Sequence, residues 1–179
     1  MSAVASRPKY SLVERERRFL VDRGAMPDLD PATGRLIEDR YLPGTGLRLR
    51  KITAPGEPPV FKLGKKYPGP GLSTRPMTNI YLDAAEYDVL AMLPAATLTK
   101  RRHDIAGGFV IDMFEGALAG LVLAEVSATD EATLAAIAAP EWCGREVTDD
   151  PAFAGGALAI DGLAPGDGPR VELDEGEAR

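Results

Sequence analysis

The sequence contains a single cysteine, Cys143, among 179 residues, which excludes an internal disulfide and leaves no cysteine cluster for zinc. It also lacks a basic excess. A net charge of −6 argues against a surface that coats DNA or RNA, because such proteins display cations to the phosphate backbone. Any basic site must therefore be concentrated and enclosed. No stretch approaches the ~18 consecutive apolar residues of a membrane span, and Met1 to Ser11 has no apolar core of a secretion signal. The expectation is a cytoplasmic protein with no membrane and no nucleic-acid duplex as partner. Pro43-Gly44-Thr45-Gly46 lacks the downstream Gly-Lys-Ser/Thr of a phosphate loop and reads as a hairpin turn.

At 45% hydrophobic and 27% charged, the chain is long enough for one domain with a real core and too short for two. Gly and Pro cluster between short runs of alternating apolar and polar residues, the pattern of strands joined by turns. Strands are expected at Leu12–Val21, Ile37–Tyr41, Gly46–Thr53, Val60–Tyr67, Thr78–Leu82, Thr97–Ile105, Phe109–Phe114 and Leu121–Ala128. Asp83 caps one helix carrying Tyr87, Leu90 and Ala91, and Thr129 caps a second over Asp130–Ala138. A third is expected around Pro151–Ile160, weakened by Gly155 and Gly156. The domain is placed at residues 12–162, with a disordered stretch at 1–11 and a disordered acidic tail at 163–179.

Charges occupy alternate positions inside these strands. Period-two geometry puts Glu14, Glu16 and Arg18 on one side, with neighbours roughly 6.5–7 Å apart. It likewise groups Arg48 with Arg50, Lys62 with Gly64 and Lys66, Lys100 with Arg102, and Glu125 with Ser127. One such stripe is what the solvated face of a half-buried sheet also gives. Repetition in strand after strand favours a closed barrel, whose helices cover the outer leucines and valines while the charges face a lumen. Unpaired buried charges cost several kcal/mol each, so a lumen rich in cations calls for a polyanion. Arg15 and Arg17 have the opposite parity and are expected in salt bridges or solvent. His103, also of opposite parity, reads as a packing residue. Trp142 reads as core closing one end of the barrel, with Cys143 beside it as a small buried residue.

Glu14-Arg15-Glu16-Arg17-Arg18-Phe19-Leu20-Val21 resembles the opening Glu-x-Glu-x-Lys strand of the CYTH, or triphosphate tunnel metalloenzyme, superfamily. Asp39-Arg40-Tyr41-Leu42 with Leu47-Arg48-Leu49-Arg50 is similar to its second and third strands, and Lys62-Leu63-Gly64-Lys65-Lys66 to its lysine strand. Lys100-Arg101-Arg102, Asp112-Met113-Phe114-Glu115-Gly116, and Gly120 to Val126 follow in the family's order, and Trp142 to Thr148 resembles its closing segment.

The resemblance implies a mainly β fold, an eight-stranded antiparallel tunnel with a few outer helices, in a monomer or homodimer. It implies phosphate binding by Arg48, Arg50, Lys62, Lys66, Lys100 and Arg102, since guanidinium forks match phosphate oxygens and lysine supplies a mobile charge. Glu14, Glu16, Glu125 and Asp112 would hold Mg²⁺ or Mn²⁺, and Arg18 and Lys66 take the catalytic positions. The implied activity is metal-dependent hydrolysis of inorganic triphosphate or a small organic triphosphate. Alternatives are a non-catalytic triphosphate, nucleotide or polyphosphate binder, and a class IV adenylate cyclase. Three departures stand out: Arg18 replaces the family's Lys, Ser127 replaces the second Glu of a Glu-x-Glu strand, and Arg75 is followed by Pro76-Met77-Thr78-Asn79 where many members carry Arg-x-Glu-x-Glu. Arginine cannot serve as a general base, because its pKa exceeds ~12.

Overall fold

A computed structural model describes residues 7–30 and 32–163. The sequence expectations for residues 1–6 and 164–179 lie outside the described residues. Among the described residues nine strands run as β1 (Leu12–Val21), β2 (Arg35–Tyr41), β3 (Leu47–Thr53), β4 (Val60–Lys66), β5 (Thr74–Leu82), β6 (Ala96–Asp104), β7 (Phe109–Phe114), β8 (Val122–Ser127) and β9 (Cys143–Glu146). Helices α1 (Ala84–Ala91), α2 (Glu131–Ala136) and α3 (Gly155–Asp161) intervene. No helix among the described residues is long and apolar enough to cross a membrane.

The strands pair antiparallel in the order β5-β4-β3-β2-β6-β7-β8-β1, and β5 pairs with β1 to close an eight-stranded barrel. β1 makes closure possible because it is long. Leu12 to Arg15 pair with β5, and Glu16 to Leu20 pair with β8. β9 pairs with β1 at Phe19 and Val21, on the edge that β5 leaves free, so it lies outside the barrel as a ninth strand. Alternation over only four residues is too short to mark this strand from the sequence alone. Tight hairpins join β2 to β3 and β6 to β7, and the second needs Gly107 and Gly108, whose φ angles of 81° and 79° suit glycine.

Several boundaries differ from expectation. β5 starts at Thr74 and includes Pro76, which has no N–H to donate but whose carbonyl accepts from the Tyr67 N–H at 2.9 Å. Asp130, not Thr129, caps α2, accepting from Thr133 N, and the helix stops at Ala136 because Ile137 is already extended. The third helix divides into a 3-10 turn at Pro151–Phe153 and α3. Gly155 is there by fit. A Cβ on it would lie 2.2 Å from the Tyr41 hydroxyl.

Two apolar clusters sit on opposite sides of the wall. Outside, Phe19, Phe109, Ala124 and Val126 pack under Leu134 of α2. Trp142 belongs to this outer cover, edge-on to Phe109 at 5.7 Å, and does not close an end of the barrel. α1 covers another outer sector, stacking Tyr87 on Phe61 at 4.6 Å. Inside, Leu98, Phe114 and Leu123 meet Phe153 and Leu158, so the 3-10 turn and α3 plug one end. Phe153 is only 1% exposed. Phe153→Ala is expected to cost about 3–5 kcal/mol through the cavity it leaves, measured as a lowered denaturation midpoint with the folded spectrum retained.

Candidate functional site

Alternation along the strands turns Glu14, Glu16 and Arg18 of β1 inward and sends Arg15, Arg17 and Phe19 out. Arg17 pairs with Glu146 of β9 at 2.8 Å. Inward residues Glu14, Glu16, Arg18, Arg48, Arg50, Lys66, Lys100, Arg102, Glu125 and Ser127 line one cavity of about 170 Å³, floored by Leu98, Phe114, Leu123, Phe153 and Leu158. A second cavity, about 260 Å³, shares Arg18, Tyr41, Arg48, Lys66 and Gly155 with the first and adds Leu47, Leu72, Arg75 and Met77. The two form one continuous lining, charged on one side and largely apolar on the other.

Carboxylates interleave the cations. Asp39 accepts both Nε and Nη2 of Arg50 at 2.6 Å and lies 3.8 Å from Arg48. Asp112 accepts Lys100 at 2.5 Å and both Nε and Nη2 of Arg102 at 2.6 Å. Glu125 pairs with Arg102 and lies 3.3 Å from Arg18. Arg18 also donates to Glu16, and Lys66 reaches Glu14 at 2.5 Å and Glu16 at 3.5 Å. Burial alone would raise the Glu125 and Asp39 pKa values. Lys100, Arg102, Arg18 and Lys66 instead hold Glu125 well below the usual carboxylate range, and Arg50, Arg48 and Lys100 depress Asp39. Burial would lower Arg18, but Glu16, Glu125 and Glu14 outweigh it and keep the guanidinium above its ordinary value. Arg102 is raised in the same way, against burial, by Asp112 and Glu125.

Strand alternation thus brings Arg48, Arg50, Lys66, Lys100 and Arg102 to one cavity together with Glu14, Glu16, Arg18 and Glu125. Lys62 stands apart. It shares their parity and faces Arg50 across the β3–β4 pair, but its ammonium sits 5.0 Å from the Tyr81 ring centroid, outside the cavity lining. Tyr81 is 71% exposed, so this position lies at the rim. Asp112 also departs from its expected place: it is fully buried behind the lining, its oxygens taken by Lys100 and Arg102. Sequence reasoning missed Asp39 and Tyr41 as site residues. Asp39 alternates with Ile37 and Tyr41, and that mostly apolar stripe hid an inward acid. Tyr41 donates to no assigned ligand but bonds Arg48 and seats against Gly155. His103 faces the outer wall, buried against Gly34, with Nε2 lacking a hydrogen-bond partner; burial and then Arg101 lower its pKa. Burial pushes the Cys143 thiol up to about 11, which leaves it protonated and unreactive at neutral pH.

Mg²⁺ or Mn²⁺ would need several hard oxygens converging on one point. Among the described residues no group of three or more His, Cys, Asp or Glu side chains is so arranged. Glu14, Glu16 and Glu125 each share an oxygen with Lys66, Arg18 or Arg102, and the inward positions Met77, Asn79 and Ser127 add no carboxylate. As built, the donor set does not fit a divalent cation.

Comparison with solved structures gives the class. Two crystal structures of NE1496, described respectively as a hypothetical protein and as the inorganic triphosphatase NE1496, match with a TM-score of 0.51. They are 26% and 25% identical, over 82% and 84% of this chain and 97% of theirs. A proposed adenylate cyclase, bh2851, from Bacillus halodurans matches with a TM-score of 0.54 at 17% identity, over 70% of this chain and 86% of that one. The barrel is therefore the CYTH, or triphosphate tunnel, fold that the strand motifs resemble. No protein-family model and no curated protein sequence matches the chain.

The charge network sets the acid response. Because Asp39 and Glu125 have depressed folded pKa values, their stabilisation is fully present above the ordinary carboxylate value of about 4 and is lost as pH falls through the folded values. The depressed His103 works the same way, costing stability as pH falls below about 6.5. Denaturation midpoints should thus decline in two stages on acidification. Asp39→Asn, which strands Arg50, should lower the midpoint at pH 7 by about 3–5 kcal/mol of stability and flatten the lower stage. An unchanged acid limb in that variant would remove Asp39 from the account.

Proposed function

We propose that this chain is a phosphoric-anhydride hydrolase acting on inorganic triphosphate or a small organic triphosphate. One observation carries the reading: a plugged barrel concentrates Arg18, Arg48, Arg50, Lys66, Lys100 and Arg102 around a single cavity in a chain whose net charge is −6. A linear polyanion is the ligand that such a lining complements. The likeness to the inorganic triphosphatase NE1496, at 25% identity, supports the same class.

In phosphoryl transfer to water the transition state spreads charge over the transferred group and the leaving oxygen, so catalysis is mostly positioning and electrostatic stabilisation. Arg48 and Arg50 supply forks for phosphate oxygens, and Arg18 and Arg102 supply fixed charge near Glu125. Lys66 is the adaptable member: its side chain is 30% exposed, and its ammonium is shared between Glu14 and Glu16. Arg18 stays protonated and acts by charge, not as a base. Leu47, Leu72, Met77 and Tyr41 in the adjoining cavity give an organic substituent a place to lie.

Phosphate release across triphosphates and the corresponding diphosphates, each with Mg²⁺, with Mn²⁺ and with chelator, tests the reading. Triphosphates should be cleaved at least about tenfold faster than diphosphates, since a shorter anion reaches fewer of the lining cations. Lys66→Ala should weaken triphosphate binding by about 1.5–3 kcal/mol, read by calorimetry. Lys66 suits this test better than Arg50, whose removal would strand buried Asp39. Absence of turnover in every buffer would refute the proposal, and binding without turnover would favour the non-catalytic alternative.

A further inference from the structure

The resemblance implies a metal held by carboxylates, and in this chain Arg18, at the position of the family's Lys, contacts two of those carboxylates. The Arg18 guanidinium donates from Nη2 to Glu16, lies 3.3 Å from Glu125 through Nε, and donates from Nη1 to the Phe153 carbonyl at 3.3 Å. It is 8% exposed. The side chain is thus held from β1, from β8 and from the plug at once, bridging the two carboxylates. Lys66 does the corresponding work at Glu14 and Glu16. A divalent ion bound by Glu16 and Glu125 would sit against a guanidinium that cannot give up its proton. The inward residues Met77 and Ser127 offer no further anionic oxygens to offset that repulsion.

We propose that Arg18 is a built-in counter-cation standing where a divalent ion would otherwise sit, so that the tunnel captures triphosphate without a metal. The inference rests on the triphosphate reading above. It makes Glu16 and Glu125 a latent metal site, closed by one side chain. Arginine suits the role because its charge is permanent and its fork contacts two carboxylates at once.

Two measurements decide it. Calorimetry of inorganic triphosphate with the wild-type chain, in excess chelator and in Mg²⁺, should give affinities within about threefold of each other. Electron paramagnetic resonance of free Mn²⁺ should show no uptake by the wild-type chain, while Arg18→Ala and Arg18→Met should bind Mn²⁺ at least about tenfold more tightly. Glu16→Gln in the Arg18→Met background should abolish that gain. Triphosphate binding that vanishes in chelator, or Mn²⁺ uptake by the wild-type chain that Glu16→Gln removes, would overturn the proposal. Both wild-type arms stand even where an Arg18 variant fails to fold. No triphosphate binding in either buffer would instead refute the functional reading, and the Mn²⁺ arm would still decide the role of Arg18.

Discussion

Buried carboxylates bridging buried cations are the interaction on which the rest of this structure depends. Asp39 and Asp112 are 2% and 0% exposed, and each is paired with the guanidinium or ammonium groups that face it. The desolvation cost of such pairs is large, and their mutual attraction offsets it only when geometry and hydrogen bonding are good. The two bidentate arginine pairs, Arg50 with Asp39 and Arg102 with Asp112, meet that condition. They fix the arginine planes, and both arginines line the cavity.

Closure of the barrel follows from the same constraint. A flat sheet would leave the outer apolar face and the charged face both needing cover. Curling the sheet puts the charges around one axis, where each cation has a carboxylate within reach, and leaves α1, α2 and Trp142 to cover the outside. The plug of Phe153 and Leu158 then excludes water from one end. Charge–charge interactions above this apolar floor are stronger than they would be in an open channel. Tyr41 links the two regions, touching Gly155 at the start of α3 and bonding Arg48 in the lining.

Much of this was legible in the sequence because side-chain alternation in strands is strict. The shared parity of Glu14, Glu16 and Arg18, or of Lys100 and Arg102, is a property of the backbone, and β1 and β7 have the boundaries read from the residues alone. Parity does not give depth along the barrel axis, which is why Lys62, on the inward stripe, ends at the rim beside Tyr81. It also does not say which charges will pair. Asp112 has the composition of a metal ligand but is consumed by Lys100 and Arg102, and Asp39 is visible as an inward acid only once Arg50 is seen across the β2–β3 ladder. The short strand β9 and the plug depend on long-range packing against β1 and β6, which no local pattern records.

The proposed function places a triphosphate among the cations of the lumen, which carboxylates otherwise balance. A crystal structure of the wild-type chain with inorganic triphosphate tests this most directly. The phosphates should lie in the plugged lumen against Arg48, Arg50, Lys66 and Arg102, with the Lys66 ammonium drawn away from Glu14 toward a phosphate oxygen and the Asp39–Arg50 and Asp112–Arg102 pairs intact. Triphosphate bound on the outer wall, with the lumen side chains still paired only to one another, would contradict it.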